Sequence, residues 1–239
     1  MKRNQNNSSV ALKGSLRKGA ILNKKHDCWR RRLMQISNRV QSVNPSETLT
    51  ITARAKSMRH QGIDVVNFAA GEPDFDTPLA VKEAAIKAIN DGFTKYTPTS
   101  GIPELKEAIV KKFKEDNGIE YVPEEIVVSC GAKHSIFNVI QALVDKGDQV
   151  IIPSPYWVSY TEMVKLAQGK SVILETRQKD NFKINIEKLA KKINSSTKLL
   201  ILNAPSNPAG VVYSREELQA IAGICVEKQI YVLSDEIYE

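Results

Sequence analysis

The sequence predicts a three-layer α/β fold, a mostly parallel sheet covered by helices on both faces. Two observations carry this. Short strands with apolar residues at consecutive positions, such as Leu199-Leu200-Ile201-Leu202, alternate with longer amphipathic stretches. Strands apolar on both faces belong to sheets buried on both faces, and strand–helix alternation is the pattern of parallel crossovers.

Taken in order, Ser46-Glu47-Thr48-Leu49 opens a helix to about Gln61, closed by Gly62. Val65–Phe68 reads as a short strand. Thr77 is a cap with Pro78 at the first helical position, and that helix runs to about Asp91-Gly92. A second helix spans Pro103 to Asn117 with Gly118 as its stop. Strands are expected over 125–129, 149–152, 171–174, 198–203 and 230–234. Between them lie helices over 132–145, 157–167 and 186–193, and one from the capping box Ser214-Arg215-Glu216-Glu217 to Lys228.

Length and composition suit an ordinary globular chain: 239 residues, 42% hydrophobic and 26% charged. The net charge of +7 is unevenly placed. Residues 1–44 carry eleven Lys or Arg against the single acid Asp27, whereas the remainder is mildly acidic. The body therefore shows no basic face for nucleic acid, and no apolar run is long enough to span a membrane. The first 37 residues read as a disordered basic leader: an organelle-type presequence, a nucleic-acid tail, or a dispensable stretch ahead of a true start at Met34, the reading favoured here. Cys28, Cys130 and Cys225 lack paired spacing, which points to a reducing compartment such as the cytoplasm. His26-Asp27-Cys28 lacks metal-ligand spacing and reads as solvated. Gly14 to Gly19 has the glycine spacing of a phosphate loop, but Ala20-Ile21 follow where lysine and a hydroxyl residue are required.

In such sheets ligands sit at the carboxyl ends of the strands. Cys130-Gly131-Ala132-Lys133 follows the strand at 125–129 and opens a helix, a ready anion site. Pro153-Ser154-Pro155-Tyr156-Trp157 follows the next, and Trp157 offers a stacking face. Asn203-Ala204-Pro205-Ser206-Asn207-Pro208-Ala209-Gly210 follows another, a stiff loop presenting the Asn207 amide. Asp235 and Tyr238 follow the last, and a carboxylate at the mouth of a buried strand calls for a cation. Each feature alone also fits a plain structural role: a packing glycine, a tryptophan over a sheet edge, a turn, a helix cap.

Together, and in order, these segments resemble the class I aminotransferases of the fold-type I pyridoxal-phosphate family, and within it the bacterial-type aspartate aminotransferases. The matching residues are Gly71-Glu72-Pro73-Asp74-Phe75-Asp76-Thr77-Pro78, Lys95-Tyr96-Thr97-Pro98, Gly131-Ala132-Lys133, Ser154 to Tyr160, Asn207-Pro208-Ala209-Gly210 and Ser234-Asp235-Glu236-Ile237-Tyr238. The resemblance implies an incomplete large domain over 77–239 and an arm of the smaller domain over 38–76. It implies pyridoxal 5'-phosphate, with its phosphate on the backbone of Gly131, Ala132 and Lys133. Trp157 would stack on its ring, Asp235 would pair with its ring nitrogen, and Asn207 and Tyr238 would bond its phenolic oxygen. Gly71, Trp157 and Asn207 would line an amino-acid substrate, aspartate being the first expectation, with a 2-oxo acid as acceptor. Tyr96 would reach the phosphate of the other subunit of a homodimer with shared sites. Ser154–Pro155 and Asn207–Pro208 are expected to be cis. Ala209 stands where the family usually has threonine, a minor departure. The family's covalent lysine lies beyond Glu239, so no catalytic residue is assigned here, and the chain alone is expected to turn over little or no substrate.

Overall fold

A computed structural model describes residues 36–239. The readings for the leader, including Met34, His26-Asp27-Cys28 and the Gly14–Gly19 spacing, lie outside the described residues. The chain divides into two units, Met1–Gln41 and Ser42–Glu239. The described part of the first holds one short helix, α1 (Asn38–Gln41). Everything below concerns the second.

Its centre is a four-stranded, all-parallel sheet in the order β2-β1-β3-β4. The strands are β1 (Gln149–Ser154), β2 (Lys170–Glu175), β3 (Thr197–Asn203) and β4 (Tyr231–Asp235). Ahead of them come α2 (Glu47–His60), α3 (Leu79–Asn90), α4 (Pro103–Lys112) and α5 (Ala132–Leu143). Between them lie α6 (Ser159–Leu166), α7 (Ile186–Lys192) and α8 (Arg215–Glu227).

The period-two geometry of a strand sends alternate side chains to opposite faces. Val150, Ile152, Leu199 and Ile201 pack with Ile136 and Ile140 of α5 and with Tyr160, Met163 and Val164 of α6. Ile151, Leu200 and Leu202 pack on the other face with Leu189 of α7 and with Ile221 and Cys225 of α8. Val150, Ile151, Leu199 and Leu200 have no exposure at all. Burial of this kind is worth about 1.5–3 kcal/mol per large aliphatic side chain. The continuous apolar runs therefore belong to strands covered on both sides, as expected.

The local signals largely hold. The Ser46 side chain accepts from Leu49 N at the start of α2, and Ser214 with Glu217 forms the capping box of α8. Gly118, at φ 66°, stops a π-turn over Phe113–Asn117 that continues α4. Ser154–Pro155 and Asn207–Pro208 are cis, and so is Ala204–Pro205, which was not anticipated.

Two expected strands are absent. Residues 65–68 form no strand, and Val66 and Phe68 are 71% and 93% exposed. Pro123–Glu125 is a 3-10 turn, and 126–129 runs without a partner strand, its Val128 N–H donating to Ser100 O at 2.9 Å. A β-branched run becomes a strand only where a neighbour completes its ladder, and no described strand lies beside either segment. Two helix starts also move. Pro78 itself occupies the cap position of α3 with no side-chain cap bond, and α6 starts at Ser159 rather than Trp157.

The chain enters the sheet at β1, steps to β2 on one side, then crosses to β3 on the other. This reversal is a topological switch point. Diverging connections open a crevice there beyond the carboxyl ends of β1 and β3.

Candidate cofactor and substrate site

A cavity of about 700 Å³ lies at that crevice. Its walls include Gly71, Gly131, Ala132, Lys133, Trp157, Asn207, Asp235 and Tyr238. Every sequence-predicted site residue is thus gathered in one place except Tyr96. Tyr96 is fully exposed and does not line the cavity.

Asp235 ends β4 and is the one buried charged side chain among the described residues, 7% exposed. Its Oδ2 accepts from the Tyr160 hydroxyl, and its Oδ1 accepts from Ile237 N at 3.3 Å. Its backbone carbonyl accepts from Asn203 Nδ2 at 2.8 Å and from Ala204 N at 3.2 Å, tying β4 to the end of β3. Both donors to the carboxylate are neutral, and Asp235 makes no ion pair among the described residues. A buried carboxylate held this way retains an unmet preference for positive charge.

Trp157 stands edge-on to Tyr160, with ring centroids 5.4 Å apart and planes at 85°. The ammonium of Lys133 lies over the indole, 4.8 Å from its centroid. The indole thus already holds a cationic group over its face, and it lines the cavity. Asn207 Nδ2 donates to Tyr238 Oη at 3.3 Å, and Asn207 N donates to Asn203 Oδ1 at 2.7 Å, so the two polar tips converge on one wall.

Gly131 precedes α5 at φ 83° and ψ 165°, a conformation only glycine adopts freely. Its own N–H donates to Ser129 O at 2.8 Å. The N–H groups of Ala132 and Lys133, in the first helical turn, lack intrahelical acceptors by geometry, and the helix dipole adds positive character there. The site therefore offers an anion-binding helix start, a stacking face, a lone carboxylate and a pair of hydrogen-bonding tips.

The chain matches the family described as Aminotransferase class I and II over residues 63–239. The chain belongs to the class I and II aminotransferases. Similar relatives are the aspartate aminotransferase of Bacillus sp. (strain YM-2), 53% identical over 85% of this chain, and the probable aspartate/prephenate aminotransferase of Aquifex aeolicus, 48% identical over 85%. A solved aspartate aminotransferase from Thermus thermophilus, with maleate, matches at a TM-score of 0.84 and 49% identity, covering 86% of this chain and 54% of that one. The chain spans about half the length of the curated relatives it matches, 52% of each of the two above.

Against this aminotransferase framework, several cavity residues were not anticipated. Asn203, at the head of the loop after β3, ties that loop to β4: its side chain donates to the Asp235 carbonyl and accepts from Asn207 N. Thr48 reaches the cavity from α2. Tyr160 closes the Ser154–Tyr160 segment, and the resemblance implies no role for it. The signal for it is its position three residues after Trp157, across the turn that leads into α6.

Proposed function

We propose that the chain forms the pyridoxal-phosphate-gripping part of an aminotransferase acting on an L-amino acid and a 2-oxo acid. The carrying observation is that the unpaired carboxylate of Asp235 and the face of Trp157 open onto one cavity, beside the start of α5. The donor set fits the cofactor. The first-turn N–H groups of Ala132 and Lys133 hold a phosphate, with Gly131 permitting the turn into them. Trp157 covers one face of the ring, and Asp235 stands against a protonated ring nitrogen. Asn207 and Tyr238 hold a phenolic oxygen between them. Bound there, pyridoxal phosphate supplies an electron-withdrawing ring that accepts the electron pair left when a substrate Cα–H bond breaks. Asp235 keeps the proton on the ring nitrogen and so preserves that withdrawal. Gly71 lines the substrate side with Trp157 and Asn207.

The names of the relatives support aspartate as the amino donor. A homodimer is supported by the apolar residues left exposed on α3 and beside it, Leu79, Val81, Ile86, Ile89 and Phe93. Tyr96, fully exposed, is then available to the neighbouring subunit's phosphate. We retain 38–76 as an arm and 77–239 as the large domain. No helix among the described residues is long and apolar enough to cross a membrane. The free thiols Cys130 and Cys225 support a reducing compartment such as the cytoplasm.

Equilibrium dialysis of the chain with pyridoxal phosphate tests the reading. Saturable uptake, weakened by Trp157→Ala, supports it. Uptake that is non-saturable, or equal in the variant, refutes it.

A further inference from the structure

The buried phenol of Tyr160 has no place in the assignment above. It is 2% exposed, projects from α6 into the core, and spends its only O–H on Asp235 Oδ2. Its ring also braces the Trp157 indole edge-on. One side chain thus touches both groups that bracket the ring position, one through its oxygen and one through its π-edge.

We propose that Tyr160 is a positioning residue that holds Asp235 aimed at the ring nitrogen of the bound heterocycle. This rests on the cofactor reading of the same cavity. With no ion pair among the described residues, the orientation of this buried carboxylate is set by the hydrogen bonds it accepts. The phenol supplies the better placed of the two donors, since Ile237 N reaches the other oxygen at 3.3 Å. It also limits rotation of the carboxylate, because Oδ2 is tethered while Oδ1 keeps only the longer contact from Ile237 N. The phenol is a dependable donor because burial first, and the Asp235 hydrogen bond and charge next, push its own ionisation far above the ordinary range. Without that O–H the carboxylate is free to swing away, and it no longer opposes a ring cation.

The prediction concerns the ring nitrogen, which separates positioning from general packing. The probes are pyridoxal 5'-phosphate and its carbocyclic analogue, in which C–H replaces the ring nitrogen. Each is titrated by calorimetry into the full chain, into Tyr160→Phe, into Asp235→Asn and into the double variant. Tyr160→Phe is expected to weaken the nitrogen-containing probe by about tenfold, the scale of one hydrogen bond to a charged group. The analogue is expected to change by less than about twofold, the weak limit of such a contact. In the Asp235→Asn background, Tyr160→Phe is expected to add no further loss. Equal weakening of both probes, or an undiminished effect in the Asp235→Asn background, overturns the proposal.

A measurement on the unaltered chain guards against a variant that fails to fold. The Cζ carbon-13 resonance of Tyr160 is expected to shift with the nitrogen-containing probe and to stay in place with the analogue. Identical responses to both probes overturn the proposal. If the unaltered chain binds neither probe, the cofactor reading falls and takes this inference with it. If it binds both and Tyr160→Phe changes neither, the inference alone falls.

Discussion

Asp235→Asn should separate stability from binding. In the folded chain the carboxylate is 7% exposed and has two neutral donors and no ion pair among the described residues. The effective penalty for burying an ion is several kcal/mol, while each hydrogen bond to a charged group returns about 1.5–3 kcal/mol. The two terms nearly cancel, so the carboxylate contributes little to folding by itself. The amide has the same shape, can still accept from Tyr160, and lacks the desolvation penalty, although it loses the approach of Ile237 N. The expected outcome is unchanged stability or a gain of up to about 1 kcal/mol, which is a rise in Tm of about 2–4 °C for a unit of this size. Binding should move the other way. Removing one partner of a buried charge pair costs about 3–5 kcal/mol, or two to nearly four orders of magnitude in Kd for pyridoxal phosphate. Urea unfolding read by circular dichroism gives the first quantity and equilibrium dialysis the second. A destabilisation above about 2 kcal/mol would show that the carboxylate is a structural element, since that exceeds one ordinary hydrogen bond. Unchanged affinity would show that it faces no cation. Asp235→Ala is the control: it strands the buried Tyr160 hydroxyl and should cost about 1–3 kcal/mol of stability.

Other changes probe the frame around the site. Gly131→Ala meets no atom within 4 Å but forces a side chain into φ 83°, so it should cost about 1–3 kcal/mol and weaken phosphate-bearing ligands more than phosphate-free ones. Ile201→Ala, at a position 1% exposed under α5 and α6, should cost about 2–5 kcal/mol with the denaturant m-value preserved. Burial raises the ionisation of Tyr160, Tyr213 and Cys225 above their ordinary 10.0, 10.0 and 9.0. The unfolded chain therefore loses these protons first. Stability is fully present below those ordinary values and should decline as pH rises past them, with Tyr160 alone contributing a slope of about 1.4 kcal/mol per pH unit. Urea midpoints measured from neutral pH to about pH 11 should show this decline, and Tyr160→Phe should flatten it.

What the sequence discloses depends on whether a signal is local. Asp235 and Tyr238 were legible because they follow an apolar run that could only be a buried strand, and a carboxylate there stands out. Gly131 was legible because a tight turn into a helix needs its backbone freedom, which its φ of 83° confirms. Residues 65–68 and 126–129 misled because β-branched composition is local whereas strand pairing is not. Tyr160 was opaque for a related reason. A tyrosine inside an amphipathic helix reads as packing, and only the fold brings its oxygen to a carboxylate 75 residues away. Asn203 was hidden similarly, since its bond to the Asp235 carbonyl exists only because β3 and β4 are neighbours.

The cavity joins two parts of the chain with very different anchoring. Asp235, Trp157 and Asn207 follow strands whose core residues are almost fully buried on both faces. Gly71 and Thr48 come from residues 42–130, where Ala55 and Ile126 are the only buried apolar side chains described. Thr48 sits near the start of α2, and Gly71 lies in a segment without regular structure. Local opening free energies track buried contact, so the cofactor wall should be rigid and the substrate wall soft. That division suits the chemistry. A ring nitrogen must meet its carboxylate with little angular tolerance, which a sheet end supplies. On the proposed aminotransferase reading, a substrate wall would admit one amino acid, release a 2-oxo acid and admit another, which a loosely anchored segment permits.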